Sequence, residues 1–500
     1  MRRILLFTLL LALAVSIPPA GRAERYASDF TSGTDGWYAR GTGTAAVFPV
    51  DGALQVVGRA ADWNSPGRDF PLSPGQQVSI TVEVRQDVAA AADFILSVAH
   101  SNGRETYENL GRATARRGVW TPITASYIPG DYKKFTLYVE TMGAPRLDFQ
   151  IRGFTVETAS RAFDLSLPSL HALHEGYFDF GCAVTLPEAR DTARMEFYAS
   201  QFGIMTHGNE LKPDSVLDVP ASRELAKTDP SAVAVRLDAA RPLMDFCRDN
   251  GIKVHGHVLV WHQQTPEAFF REGYSPTGAY VTREVMLGRL ENYIRLVLEM
   301  TEREYPGLIV SWDVVNEAVS DSAAALRQSV WTRVVGEDFV LRAFEFARKY
   351  AREGLALYYN DYSTPYEPKL TGILKLLAEL AESGNIDGYG FQCHYQIGTP
   401  SVQQVQNAMD KVIALGLRLR MSELDILIDA NTPENLERQA RRYGALLDLF
   451  RKYKDHIDAV HTWGVTDDLS WKASQFPLLF DADGNPKPAF FAVIDPLRLR

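Results

Sequence analysis

Glu317 and Glu423 are the two residues of this 500-residue chain best placed to act as a chemical pair. Each ends an apolar, strand-like run, LIVSWDVVNE over residues 308–317 and LRMSELDIL over 419–427. Cleavage of a glycosidic bond needs such a pair: a carboxylic acid protonates the departing oxygen while a second carboxylate faces the anomeric carbon. A single glutamate at a strand end is as readily a salt-bridge partner or a loop anchor. Two on facing strands, with aromatic and amide neighbours, point instead to one site. His255, His257 and His262 suggest a rival chemistry, because an H-x-H pair on a strand places two imidazoles on one face and could hold a metal. The downstream histidines and the aspartate at the last strand that a metal-dependent hydrolase would need are not evident, so no metal and no cofactor is expected.

The elements that must carry these residues alternate. Eight apolar runs read as strands: 178–184, 202–208, 252–261, 308–317, 355–361, 389–395, 419–427 and 459–465. Amphipathic stretches at 234–249, 283–303, 402–415 and 433–453 read as helices between them. That alternation over about 330 residues predicts an α/β fold of the (β/α)8 TIM barrel type. Such barrels carry their chemistry at the C-terminal ends of the strands. His257, Asn316, Glu317, Asp361, Gln392, His394, Glu423 and Trp463 all read as lying at or just past strand ends, with apolar strand interiors.

Ahead of the barrel, residues 25–158 hold short β-rich runs such as VSITVEVRQ, ADFILSVAH and FTLYVET, separated by Gly, Pro, Asn and Asp turns. They predict an all-β sandwich or jelly roll. The expected organisation is a signal peptide over residues 1–23, a β-sandwich over 24–160 and the barrel over 161–497. The first segment has Arg2 and Arg3, the apolar run from Ile4 to Ile17, and small residues before Ala23, which predicts cleavage near Ala23 and secretion to the exterior or the periplasm. The apolar run is shorter than the roughly 20 residues that a spanning helix needs, so membrane insertion is not expected.

The composition, 46% hydrophobic and 23% charged, is that of a folded globular chain. The formal net charge of −10 becomes about −13 once Arg2, Arg3 and Arg22 are removed, which argues against nucleic acid as a partner and leaves a neutral polymer permitted. Cys182, Cys247 and Cys393 show neither metal-ligand spacing nor an even count, and read as buried thiols.

The motifs WDVVNEA (312–318) and MSELDI (421–426) resemble the acid/base and nucleophile signatures of glycoside hydrolase family 10, the retaining endo-xylanase family. GHVLVWHQQTPEAFF (256–270), YYNDYS (358–363), GFQCHY (390–395), TWGVTDDLSW (462–471) and PLLFDADGNPKPAF (477–490) extend the resemblance, in the family's order, across residues 164–497. The resemblance implies endo-1,4-β-xylanase activity without a cofactor, with Glu317 as general acid/base and Glu423 as the nucleophile of a double displacement. The acid is then expected to have a raised pKa and the nucleophile to stay ionised. His394, oriented by Asp425, matches the residue that keeps the nucleophile charged. Asn316 matches the one that grips the 2-hydroxyl of the reacting sugar. Asn209, Lys212, His257, Trp261, Gln392, Trp463 and Trp471 match positions lining the sugar sites on the non-reducing side.

One departure stands out: GNELKP (208–213) has Gly208 where the family has a glutamate that contacts the second sugar, which implies altered recognition there. The front domain resembles carbohydrate-binding module family 22 through GTDGWYARG (33–41), GRAADWNSP (58–66) and FTLYVET (135–141). Arg40, Trp63, Tyr107, Tyr138 and Glu140 match its xylan-binding cleft, against the plainer alternative of a sandwich that only supports the barrel. Xylan and xylo-oligosaccharides are the expected partners, and a monomer is the expected state. Two further readings stay open: an endoglucanase or mixed-linkage glucanase using the same carboxylates, and a xylan-binding protein without catalysis.

Overall fold

The computed structural model of the chain describes residues 24–494 apart from 42–44, 73–76, 102, 104, 131 and 160–162, so the expected signal segment lies outside the described residues. Two compact units divide the chain, Met1–Ala162 and Phe163–Arg500.

The first unit is built from two antiparallel sheets. One has the order Ala46–Val50, Ala53–Val57, Phe149–Ala159, Gln77–Arg85, Thr121–Tyr127, with Glu24–Ser28 also pairing to Phe149–Ala159. The other runs Tyr38–Ala39, Pro66–Phe70, Lys134–Met142, Ala91–Ser101, Glu105–Arg116. Alternation fixes the faces: Val78, Ile80, Val82 and Val84 are buried, while the residues between them face outward. With Phe94, Leu96, Val98, Leu137, Val139 and Ile151 they form one core between the two sheets.

In the second unit eight strands close a barrel: β1 (Asp179–Val184), β2 (Ile204–His207), β3 (Lys253–Trp261), β4 (Ile309–Asn316), β5 (Ala356–Asp361), β6 (Gly388–Phe391), β7 (Arg418–Leu427) and β8 (Ile457–Thr462). All neighbours are parallel, and β1 pairs with β8 as well as with β2, so no edge remains. Helices are set by local signals. Ser401 and Gln404 form a capping box before Val402–Ile413, Thr432 caps Pro433–Lys452, and Thr282 caps Arg283–Glu304.

Several expected boundaries move. The helix expected from residue 234 begins at Arg241, because Val235 bridges to Leu217 and Pro242 suits the first turn. The run 389–395 is broken: β6 ends at Phe391, Cys393 takes φ +60, and a separate strand His394–Gln396 pairs with the end of β7. The eighth strand runs from Ile457 to Thr462, so Trp463 follows it. Glu423 and His257 lie inside β7 and β3 rather than at their ends, since both strands continue past them.

The barrel interior is also not apolar throughout. His255 Nε2 and His257 Nδ1 both approach Asp313 Oδ2, at 3.0 and 2.9 Å. Ser311 Oγ joins His255 Nδ1 at 2.8 Å to Arg420 at 2.9 Å, and Arg420 reaches His461 Nε2 at 3.2 Å. Such a chain is tolerated because each member finds at least one partner within it. Burial pushes the His255 imidazole down to about 4.

Candidate active site

Eleven side chains singled out in the sequence line a single cleft of about 620 Å³ at the C-terminal end of the barrel: Asn209, Lys212, His257, Trp261, Asn316, Glu317, Gln392, His394, Glu423, Trp463 and Trp471. Asp425, fully buried, stands behind His394.

Glu317 follows β4 directly and has φ +57, a left-handed conformation that costs a side chain about 1–3 kcal/mol and that surrounding contacts must hold. Its Oε2 accepts from Trp261 Nε1 at 2.9 Å and its Oε1 from Gln392 Nε2 at 2.9 Å. Glu423 is held differently. Its Oε2 accepts from His394 Nε2 at 3.1 Å, and its Oε1 from Asn360 Nδ2 at 2.7 Å. His394 Nδ1 in turn donates to Asp425 Oδ2 at 2.9 Å, the same oxygen that takes the Trp471 indole N–H at 2.8 Å.

These contacts set the charges. Burial would raise the Glu423 carboxyl, but the His394 hydrogen bond, the His257 and His394 charges and the Asn360 amide together hold it below the usual glutamate range. Burial would lower His394, yet the charge and hydrogen bond of Asp425, with those of Glu423, push it up to about 10. The pair is therefore a carboxylate against an imidazolium at neutral pH.

Asn316 joins the two glutamates. Its Oδ1 accepts from Asn360 Nδ2 at 3.1 Å and from Gln392 Nε2 at 3.1 Å, which leaves its own amide N–H groups for the cleft. Around the pocket, Lys212 Nζ donates to Asn209 Oδ1 at 3.1 Å and to Gln264 Oε1 at 2.9 Å, and lies 5.0 Å from the Trp261 ring centre. His257 meets Trp463 edge-on at 5.3 Å, and Trp471, more than half exposed, leans on His394 at 4.8 Å. Hydrogen-bonding groups beside indole faces form a surface matched to a ring with polar edges and an apolar face.

Among the described residues, no group of three His, Cys, Asp or Glu side chains is arranged to hold a metal ion. His255 and His257, the H-x-H pair of the rival reading, share Asp313 instead. Gly208 lines the cleft, and a Cβ there would stand 3.0 Å from Thr185 Cγ2. All three cysteines are free and buried.

Sequence reasoning missed Asn360, Gln264, Glu188, Tyr362 and Ser363, of which all but Asn360 line the cleft and Asn360 binds Glu423 from within the barrel wall. The period-two pattern of YYND could have found Asn360, since it must face the barrel axis if Tyr359 and Asp361 face outward. Glu188 carried no such signal. It completes a capping box with Thr185 and takes the Tyr198 hydroxyl at 2.8 Å, and burial raises it to about 7.

In the front unit the predicted residues gather on the outer face of the five-stranded sheet. The Arg40 guanidinium lies 3.6 Å from the Tyr138 ring centre, and Glu140, two residues along the same strand, accepts from Ser97 Oγ at 2.8 Å. Tyr107 on the neighbouring strand pair is 61% exposed and Trp63 50% exposed, so both present open ring surface. A Cβ at Gly41 would strike the Trp63 ring, which fixes that indole beside the Arg40 strand.

Comparison with known families matches residues 169–496 to glycosyl hydrolase family 10 and residues 26–146 to a carbohydrate binding domain. Endo-1,4-beta-xylanase A of Thermoanaerobacterium saccharolyticum is 32% identical over 487 residues, which cover 93% of this chain and 40% of that protein. Endo-1,4-beta-xylanase B of Butyrivibrio fibrisolvens is 37% identical over 340 residues, covering 65% of this chain and 53% of that one. The chain thus spans about half or less of the length of these curated relatives. Among solved structures, the CBM22-1 and GH10 modules of the N-terminal endo-1,4-beta-D-xylanase 10B from Clostridium thermocellum, complexed with xylohexaose, superpose with a TM-score of 0.64 at 28% identity. They cover 94% of this chain and 96% of that one.

Proposed function

The chain belongs to glycosyl hydrolase family 10, and from that membership we propose that it is an endo-1,4-β-xylanase acting by double displacement with retention of configuration. The observation that carries the reading is the division of labour between two carboxylates in one cleft. Glu423 is fixed as an anion by His394 and Asn360, while Glu317 is held by the neutral donors Trp261 and Gln392. In the first step Glu423 attacks the anomeric carbon as Glu317 gives its proton to the leaving oxygen. The glycosyl-enzyme is then hydrolysed by water that Glu317 deprotonates, and the second inversion restores the original anomer. Asn316 offers its amide to the 2-hydroxyl of the reacting sugar, an interaction that strengthens at the transition state.

The sandwich serves as a xylan-binding module through Arg40, Trp63, Tyr107, Tyr138 and Glu140. The enzyme is exported, loses its leader near Ala23 and works as a monomer on neutral polymer. N-terminal sequencing of protein recovered outside the cytoplasm tests the export, and light scattering the monomer.

The decisive experiment follows product anomers by NMR as the wild type, Glu317→Ala and Glu423→Ala act on glucuronoxylan and arabinoxylan, with cellulose and mixed-linkage glucan in parallel. Release of the β-anomer from xylan, abolished in Glu423→Ala, is the expected result. Initial α-anomer, or faster cleavage of cellulose than of xylan, would refute the reading.

A further inference from the structure

Glu317 must keep its carboxyl in line with a departing oxygen while its backbone sits in the left-handed region. Its side-chain partners hold the carboxylate end only. The backbone is held by a separate set of contacts. Glu317 N donates to Asn360 O at 2.9 Å, and Arg327 Nε donates to Glu317 O at 3.2 Å. The next two amides, Ala318 N and Val319 N, both donate to the Tyr359 hydroxyl, at 2.9 and 3.2 Å.

A phenol oxygen that accepts two amides has only its own proton left to give. Tyr359 gives it to Asp361 Oδ2 at 2.6 Å. The buried Asp361 is fixed through Oδ1 by Lys369 Nζ at 2.8 Å and by Tyr362 N at 2.8 Å. Lys369, also buried, reaches Asp321 at 2.8 Å and lies 3.3 Å from the Tyr362 ring centre. Tyr359, Asp361 and Lys369 do not line the cleft; Tyr359 meets the amides beside Glu317, while Asp361 and Lys369 also touch Tyr362, which does line it.

We propose that Tyr359 is a positioning residue for the acid/base Glu317, its hydroxyl clamping the two peptide amides that follow that residue and being itself fixed by Asp361 and Lys369. The proposal rests on the xylanase reading above. Alternation along β5 then gives one tripeptide two duties: Asn360 faces inward to Glu423 at 2.7 Å, and Tyr359, its hydroxyl held by Asp361, faces outward to the two amides that follow Glu317. Without the hydroxyl two buried amides lose their partner, and the turn that aims Glu317 relaxes.

The test uses the dependence of proton donation on the leaving group. A sugar alkoxide departs only when protonated, whereas 2,4-dinitrophenolate leaves unaided. The full chain carrying Tyr359→Phe, which keeps the ring, is compared with the wild type and Glu317→Ala on xylotetraose and on 2,4-dinitrophenyl β-xylobioside. The expected result is a fall in kcat/KM of about ten- to a hundredfold on xylotetraose and less than about threefold on the aryl glycoside. Equal loss on both substrates, or none on xylotetraose, overturns the proposal. If Tyr359→Phe cannot be obtained folded, Asp361→Asn reads the same clamp: a selective loss supports it and a uniform loss refutes it. Should Glu317→Ala itself lose both substrates equally, the xylanase reading fails independently of Tyr359.

Discussion

Asn360 Nδ2 donates to Glu423 Oε1 at 2.7 Å from the end of β5, two strands away from the glutamate it holds. The same amide reaches Asn316 Oδ1, and Asn360 Oδ1 accepts from Ser422 Oγ at 2.6 Å. A hydrogen bond to a charged group contributes about 1.5–3 kcal/mol. Asn360→Ala is therefore expected to lower kcat/KM on xylan by about ten- to a hundredfold, with the loss measured by reducing-sugar release. Activity within twofold of wild type would show that His394 alone suffices to hold the nucleophile.

The His394 imidazolium gives the acid limb of the pH profile its position. The proposed double displacement needs Glu423 ionised, and its carboxyl lies below the usual 4.5 because His394 and its companions outweigh burial. In His394→Asn burial is opposed less, so the acid limb of kcat/KM should move upward. An unmoved limb would assign the control to another group. The stability linkage has the opposite sign for the two partners. His394, raised from 6.5 to about 10, contributes stability that is complete below pH 6.5 and fades as pH rises toward 10. Glu423, lowered from 4.5, contributes stability above that pH which fades as pH falls through its folded value. Thermal melting across pH 6.5 to 10 should decline less steeply in His394→Asn than in the wild type.

Gly208 and Thr185 form a matched pair in the cleft wall, since a Cβ on the glycine would press on the threonine methyl at 3.0 Å. Gly208→Glu alone is expected to be crowded. Gly208→Glu with Thr185→Ala should place a carboxylate in the cleft wall and, if the wall meets the second sugar as the family resemblance implies, lower KM for xylotriose and xylotetraose several-fold, about 1 kcal/mol of binding. Steady-state kinetics on the short oligosaccharides decide it, and unchanged constants in the double variant would mean that this wall makes no sugar contact.

The exposed Trp63 and the Arg40–Tyr138 stack give the front sandwich its own prediction. Trp63→Ala should weaken retention on insoluble xylan by about tenfold, the order of one lost stacking contact, while leaving kcat/KM on xylotetraose unaltered. Pull-down on oat-spelt xylan measures the first and a soluble assay the second. Undiminished retention would move the binding face elsewhere on the sandwich or favour a purely supporting role.

The sequence alone determined the alternation of strands and helices, the eightfold count, the all-β front unit, and the identity of Glu317, Glu423 and the nine other side chains that meet them in one cleft. The elements were legible because each depends on residue type and local periodicity, apolar runs marking strands buried on both faces, whereas Asn209, Lys212, Trp261 and Trp471 were legible only through the resemblance of their motifs to a family. Only the tertiary structure decided what those residues do to one another. The break at Cys393, the position of Glu423 inside β7 and the polar chain from His257 through Asp313 to Arg420 arise from pairing between strands far apart in sequence. So does the dual use of β5, where Asn360 holds the Glu423 carboxylate and Tyr359 the backbone that follows Glu317. Charge and strain at a site are sums over neighbours in space, and a one-dimensional pattern carries no term for a neighbour that arrives forty or sixty residues later.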